Sequence, residues 1–416
     1  MANSTGRSII VIGGGAAGLV AAIAAARLGA RVRIVERMSR VGKKILATGN
    51  GRCNLANARM DLARFHGASR KFVQGVLGRF GLEDTLVFFQ QLGLETRTEA
   101  DGRVFPLTSQ AASVLDLLRD ETAALGVEEV CDTRIQKVEP RPDGTCVCYG
   151  TGDERFIADR VVVAAGGKAA PNLGSNGGGY AIAQALGHQI VSPFPSLVQL
   201  RLEAPFLKRL DGLKIEAEVQ ARVDGTPRRR AEGEVLFTDY GLSGLAVLEV
   251  SRSVAEVLES GAEAELALDL FPQWSADEVA AVLARRFAAH PSRPLDTSLI
   301  GLLHKRLIGV VIGVAGLDAS ARRPVREMSD DDTRLLALQT KEWRMRCTGT
   351  MSWMHAQVTA GGVDTREVAP ETLESRLAPG VYFAGEVLDV DGDSGGFNLQ
   401  WAWSSGYVAG TAAAGA

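Results

Sequence analysis

The stretch SIIVIGGGAAG (8–18), continued by LVAAIAAARLGARVRIVE (19–36), decides the fold of this chain. Ser8 and four apolar residues read as a short strand. The glycine run Gly13-Gly14-Gly15 follows at once, then an alanine-rich helix that Gly29 breaks. A second strand (31–35) ends on Glu36. This is a βαβ unit with G-x-G-x-x-G at its first turn and an acid about twenty residues on. Each part has a physical job. Gly13 permits the tight turn, Gly15 lets backbone approach a pyrophosphate, and Gly18 lets helix and strand pack closely. The helix N-terminus, Ala16 and Ala17 included, offers free N–H groups and the positive end of its dipole to phosphate. Glu36 is expected to accept hydrogen bonds from both hydroxyls of an adenosine ribose and to repel a 2′-phosphate.

The far end of the chain chooses between NAD and FAD. VYFAGE (381–386) is a strand ending in Gly385 and Glu386. Asp389, Asp391, Gly392, Asp393, Gly395 and Gly396 follow, then Phe397-Asn398-Leu399-Gln400 and a helix. This resembles the second fingerprint of two-dinucleotide-binding-domain flavoproteins, with Glu386 in place of the usual aspartate. The resemblance implies that the acid meets a ribityl hydroxyl of FAD. It also implies that the helix N-terminus, through the N–H groups of Asn398 and Leu399, faces the pyrimidine end of the flavin, where negative charge gathers on reduction. FAD is therefore the expected cofactor.

GKKILATGNGRCN (42–54) combines small residues, cations and amides. It suits a loop that wraps the pyrophosphate and the flavin edge, with Arg37, Thr48, Gly51 and Cys53 beside it. Lys43 or Lys44 would offset phosphate charge, and Arg52 and Asn54 would donate to flavin or substrate. Together with VTAGGV (358–363) and FAGEVLDVDGDSGGFNLQWAWSSGYVAG (383–410), this segment resembles the motifs of the BaiN-like (YhiN-like, aminoacetone-oxidase-like) flavoprotein family. LFTDYGLSGLAVLEVS (236–251) resembles another family segment, in which His and Pro are usual where this chain has Asp239 and Leu245. The likeness runs over essentially the whole chain. It implies an α/β fold: a Rossmann-like FAD-binding domain of glutathione-reductase type, an inserted β-barrel-like domain and a small helical domain. Activities attached to the family are reduction of enone double bonds in oxo-bile acids and oxidation of aminoacetone. By the same resemblance Ala165 and Gly166 should pass near the adenosine half, and Ile135 should meet adenine. GSNGGGY (174–180) resembles the turn of fumarate-reductase-type flavoproteins, with Gly178 where an acid is usual.

Composition sets the limits. At 416 residues the chain is expected to hold two or three domains, and 46% hydrophobic with 23% charged residues is a globular balance. A net charge of −3 gives no bulk attraction to nucleic acid, and no nucleic-acid partner is expected. The one basic run, Arg228–Arg230, reads as a solvated hairpin arm. The cysteines, Cys53, Cys131, Cys146, Cys148 and Cys347, have no metal-clip or redox spacing, so neither disulfide nor metal is expected. A reduced, cytoplasmic protein fits, with no leader before the first strand and no membrane span.

The order of patterns argues for an insertion. The FAD-binding domain is expected over 1–194 and 355–416, a β-rich module over 195–274 and 340–354, and a helical module over 275–339. Single strands are expected at 127–138 and 156–164, a helix at 298–315, and an alternating strand through SWMHAQV (352–358).

Catalytic residues are less visible. His355, Arg52 and Tyr240 are the polar candidates beside the family motifs. A flavin transfers the hydride; protein supplies orientation and one proton. The expected reaction is hydride transfer between flavin N5 and a small organic substrate held between the FAD domain and the inserted modules, with reduction of an activated C=C bond foremost. An amine or aminoketone oxidase, an RNA-modifying flavoprotein and a non-catalytic flavin binder are the alternatives. No second Rossmann motif is present, so a nicotinamide donor, NAD(P)H, would dock only transiently.

Overall fold

The computed structural model describes residues 6–318 and 321–415. The first residues, on which the expectation of no leader rests, lie partly outside that range. The chain forms two compact units, Met1–Pro195 with Trp353–Ala416, and Ser196–Ser352.

The first unit is built on a five-stranded parallel sheet in the order Val381–Phe383, Arg160–Val163, Ser8–Ile12, Arg31–Val35, Glu128–Val130. Its three central strands, Arg160–Val163, Ser8–Ile12 and Arg31–Val35, are short and bury Val and Ile because both faces are covered, while the charged residues sit mainly at strand starts and on the edge strand Glu128–Val130. The opening helix Ala16–Arg27 is almost wholly buried from Ala17 to Ala25. The closing helix Phe397–Ala414 lies directly against it. The approach is close because glycine permits it. A Cβ on Gly406 would stand 2.3 Å from the Ala17 carbonyl oxygen, and one on Gly410 2.2 Å from that of Ala21. The first and last helices thus share one core, although some 380 residues separate their starts in sequence.

Beside a two-stranded sheet of Ile190–Ser196 and Val358–Val363, this unit has three small antiparallel sheets. One contains Lys137–Pro140, Cys146–Tyr149 and Arg155–Ala158. Another pairs Ala56–Asn57, Arg103–Pro106 and Thr96–Thr98, the last two joined by a turn with Gly102 at positive φ. The third pairs Phe65–Gly67 with Val390–Gly392. The expected strand at 156–164 is broken at Asp159. There the Asp159 N–H donates to the Ser8 carbonyl (3.0 Å), and its carboxylate accepts both the N–H and O–H of Ser8 at 2.7 Å. That clamp passes the chain from the antiparallel ribbon into the parallel sheet. The expected strand at 127–138 is likewise two strands, parted where the Asp132 and Thr133 N–H groups donate to the Met38 and Glu36 carbonyls.

The second unit is a closed barrel of six strands in the order Leu200–Glu203, Gly241–Ser243, Thr226–Thr238, Lys214–Val223, Ala264–Asp269, Trp343–Thr350. Lys214–Val223 alternates buried and half-buried positions from Ala217 onward, as its sequence alternates. Asp224 and Gly225, both at positive φ, turn the long hairpin. Arg228 and Arg230 lie exposed beyond it, while Arg229 pairs with Glu249 at 3.2 Å. Helix Leu245–Glu259 packs on the barrel. Helices Ala276–Ala289, Lys305–Val314 and Asp330–Lys341 join the same apolar cluster through Leu283, Ile308 and Leu336. Where one helix is expected at 298–315, the chain forms Leu295–Ser298, a turn with Gly301 at positive φ, and then Lys305–Val314.

Candidate active site

The nucleotide end is built where the parallel sheet meets the opening helix. Gly13 has φ +102° and its N–H donates to the Val35 carbonyl at 2.9 Å, which fixes the tight turn. Gly15 caps the helix with no side-chain hydrogen bond, and no acid occupies the first turn. A Cβ on Gly15 would meet nothing within 4 Å, so there is open space at the residue that leads into the first turn and its Ala16 and Ala17 N–H groups. Those groups have no intrahelical acceptor. Glu36 is 8% exposed. Its Oε2 accepts the Gly14 N–H and its Oε1 the Met38 N–H, each at 2.8 Å. The carboxylate therefore braces the glycine turn itself, and keeps lone pairs for two more donors. A cavity opens beside it, walled by Gly13, Glu36, Arg37, Thr133, Ile135, Ala165 and Gly174. Arg37 Nη1 donates to the Gly174 carbonyl at 3.1 Å and fixes one rim. Gly166 adjoins that cavity at φ +70°.

The loop after Glu36 is strained. Helix Lys43–Ala47 runs into a turn in which Gly49, Asn50, Gly51 and Cys53 all have positive φ. For Asn50 and Cys53 this backbone is costly, and such residues gather at ligand sites. Thr48 Oγ1 donates to the Ile45 carbonyl at 2.6 Å. Lys43 donates to Ser39 at 3.1 Å. Lys44 differs from expectation: its ammonium pairs with Glu386 at 2.8 Å, so its charge is offset by protein. Glu386 also accepts the Thr359 N–H at 2.6 Å. Arg52 is held by Glu99 at 2.5 Å and lies 3.9 Å over the Phe105 ring. It is a fixed, partly neutralised donor rather than a mobile cation. Cys53 is fully buried, and burial pushes its thiol up to about 12, against the small opposing pull of Thr48. It is a packed thiol with no thiolate character. Asn54 carries a buried Oδ1 with no protein partner.

The ring end is built at the start of the closing helix. Gly396, φ +106°, precedes Phe397, whose ring meets Phe65 edge-on at 5.8 Å. The helix has neither a side-chain cap nor an acid in its first turn. Asn398 locks the preceding turn: Oδ1 accepts the Gly392 N–H (2.8 Å), and Nδ2 donates to the carbonyls of Gly392 (2.7 Å) and Asp393 (3.2 Å). The N–H groups of Phe397, Asn398 and Leu399 stay available at the helix start. Gly385 is anchored by Ser405 and Trp401 of the same helix. Asp391, 1% exposed, lies on the strand paired with His66.

One cluster here was missed in the sequence. His66 Nε2 donates to Asp393 Oδ1 at 2.7 Å, and Arg64 reaches the same carboxylate at 3.2 Å. These residues stand about 330 positions apart, and no local pattern links them.

The strand expected through His355 does not form. Instead of an alternating strand, residues 353–355 form a turn, because the Trp353 carbonyl is taken by the Ala170 N–H at 2.9 Å. The strand starts only at Val358, and His355 is exposed. Tyr240 belongs to the second unit, in the turn before Gly241–Ser243, where its hydroxyl donates to Gln199 at 3.1 Å. Among the described residues no group of three or more His, Cys, Asp or Glu is arranged to hold a metal, and no helix is long and apolar enough to cross a membrane.

This donor set fits FAD. The buried acid and cavity suit an adenosine, the open space over Gly15 suits a pyrophosphate, and the orphaned Asn54 oxygen with an uncapped second helix start suits a flavin edge. The HI0933-like protein Rossmann domain family matches residues 7–412. The chain is 40% identical over 406 residues to a 3-dehydro-bile acid delta(4,6)-reductase of Clostridium scindens, covering 97% of this chain and 98% of that protein. It is 31% identical over 405 residues to a ribosomal RNA dihydrouridine synthase of Escherichia coli, covering 96% of each. The protein of that name from Haemophilus influenzae is 30% identical, again over 96% of each chain.

Proposed function

This chain belongs to the HI0933-like Rossmann family, and from that premise we propose that it is an FAD-dependent oxidoreductase that reduces a C=C bond conjugated to a carbonyl. The observation that carries the reading is the packing of the opening helix against the closing one through Gly406 and Gly410. It brings two uncapped helix starts into one unit, as a single cofactor spanning them requires. In this reading the Ala16 and Ala17 N–H groups hold the pyrophosphate and Glu36 the ribose. Arg37, Ile135, Ala165 and Gly166 surround the adenosine. The loop 43–54 and Glu386 take the ribityl chain and ring edge, and Asn398 and Leu399 receive the charge of the reduced ring. Bound FAD supplies the hydride; the protein orients substrate and excludes water.

Both relatives' names describe chemistry of this class. Saturating a dienone and converting uridine to dihydrouridine each add two hydrogens across a C=C bond conjugated to a carbonyl. The higher identity to the bile-acid reductase favours a small, free enone over RNA. NAD(P)H is the proposed electron donor. The test is anaerobic. Holoprotein is mixed with NADH or NADPH, then with steroidal enones or with unmodified ribosomal RNA, and flavin absorbance is followed. Bleaching by nicotinamide and recovery with an enone supports the reading. Recovery with RNA alone transfers it to the second substrate. A flavin reduced chemically that no enone and no RNA reoxidises refutes it.

A further inference from the structure

Adding two hydrogens across a conjugated C=C bond takes a hydride at the β carbon and a proton at the α carbon. The chain's five histidines are the natural proton carriers, and four are poorly placed. His290 and His304 are exposed in the second unit, and His355 lies in an exposed turn. The His188 ring is sealed from solvent, with both nitrogens taken, by Glu367 at 3.1 Å and by Ser375 at 2.6 Å. His66 differs from all of them. It sits in the middle of strand Phe65–Gly67, opposite Asp391. Its side chain is 21% exposed, while Asp393 beneath it is 5% exposed. Because a carboxylate only accepts, Nε2 carries a hydrogen, and among the described residues nothing takes Nδ1. Asp393 is itself fixed three ways. Its N–H donates to the Arg64 carbonyl (2.9 Å), its carboxylate receives Arg64 Nη1 (3.2 Å), and its carbonyl receives Asn398 Nδ2 (3.2 Å). The imidazole is therefore tied, through one carboxylate and one amide, to the first turn of the closing helix.

We infer that His66, oriented by Asp393, is the proton donor of the reaction, delivering its Nδ1 proton to the α carbon of the substrate. This rests on the proposed C=C reduction. The hydride from reduced FAD forms the β C–H bond and the flavin is oxidised. The π pair of the double bond moves toward the carbonyl and returns to form the α C–H bond as the Nδ1–H bond breaks. The imidazolium is left as neutral imidazole and regains a proton from water. Asp393 is a positioning residue: it holds the ring's tautomer and steadies the cation before transfer.

The test uses holoprotein reduced anaerobically and mixed with a cyclic enone in D₂O. His66→Gln is expected to keep the FAD spectrum and to slow reoxidation by the enone by about a hundredfold or more. Its product should lose the single α-deuteron configuration that the wild type gives, because water then protonates either face. Asp393→Asn should slow reoxidation less and scramble deuterium partly. Reoxidation at the wild-type rate with wild-type configuration in His66→Gln overturns the inference alone. A wild-type flavin that no enone reoxidises overturns the reading beneath it as well. Should His66→Gln lose FAD, wild-type protein answers the same question through diethylpyrocarbonate labelling read by mass spectrometry. Protection of His66 by the enone is expected, and labelling unchanged by the enone overturns the assignment.

Discussion

Gly410→Ala is a sharp probe of the helix pair on which the cofactor site stands. The new Cβ would lie 2.2 Å from the Ala21 carbonyl oxygen, where ordinary contact begins near 3.4 Å. Neither partner is a flexible side-chain end: one is helix backbone, the other a Cβ fixed to it. The helices must therefore part by about 1 Å, in a core where both are buried. Overpacking of this kind costs about 1–3 kcal/mol. In a unit of this size that lowers the melting temperature by roughly 2–4 °C for each kcal/mol. The same displacement moves one helix start relative to the other, and a ligand held at both must give up contacts or strain to follow. FAD affinity is expected to fall roughly tenfold or more, about 1.4 kcal/mol. Thr411→Ala, one residue on and partly exposed, should change neither quantity. Thermal melts of apoprotein and holoprotein, with FAD titration by fluorescence, read both effects. A Gly410→Ala protein that melts and binds FAD as the wild type does refutes the argument that this contact sets the site.

Three further outcomes are expected. Glu36→Ala should weaken FAD by about 1.5–3 kcal/mol through loss of charge-assisted hydrogen bonds, measured by calorimetry, and unchanged affinity would contradict the ribose placement. It should also destabilise apoprotein, because the Gly14 and Met38 N–H groups lose their acceptor. Burial holds the His188 imidazole below its ordinary value of 6.5, outweighing the opposite pull of Glu367. The unfolded chain then binds the proton that the folded one resists, so this stability is complete above about pH 6.5 and is lost as pH falls toward the lower folded value. Urea midpoints should drop on acidification in the wild type and drop less in His188→Gln; equal slopes would disprove it. Burial also pushes the Cys148 and Cys347 thiols, like that of Cys53, up to about 12. A thiol reagent should find at most the partly exposed Cys131 in native protein and all five cysteines in denaturant; fast labelling of Cys53 would contradict its packing.

The nucleotide end was legible because its logic is local. Gly13, Gly15, Gly18 and Glu36 fall within one βαβ unit, and the constraints on turn, approach and charge act over that span. The closing segment was legible for the same reason, although its helix begins at Phe397, three residues before the alanine and tryptophan pattern suggests it. Failures came where a distant partner decides. SWMHAQV alternates like a strand, yet Ala170 captures the Trp353 carbonyl and turns the chain at His355. The run 156–164 has uninterrupted strand character, yet Ser8 clamps Asp159 and divides it. His66 lies beside no motif; only its pairing with Asp393 across the fold gives it meaning. Lys44 and Glu386 each suggested a ligand contact alone, and their union changes both.

The kinship of the first and last helices also has a consequence for biosynthesis. Ala17 and Ala21 leave the ribosome early, but Gly406 and Gly410 are made only after the whole barrel unit with its own apolar cluster. At roughly 5–20 residues per second, the alanine stripe waits about 20–80 seconds for its cover. The opening helix therefore finds its cover only after Gly406 and Gly410 are made, and a chain stopped before them would be left with a naked seam along Ala17 and Ala21.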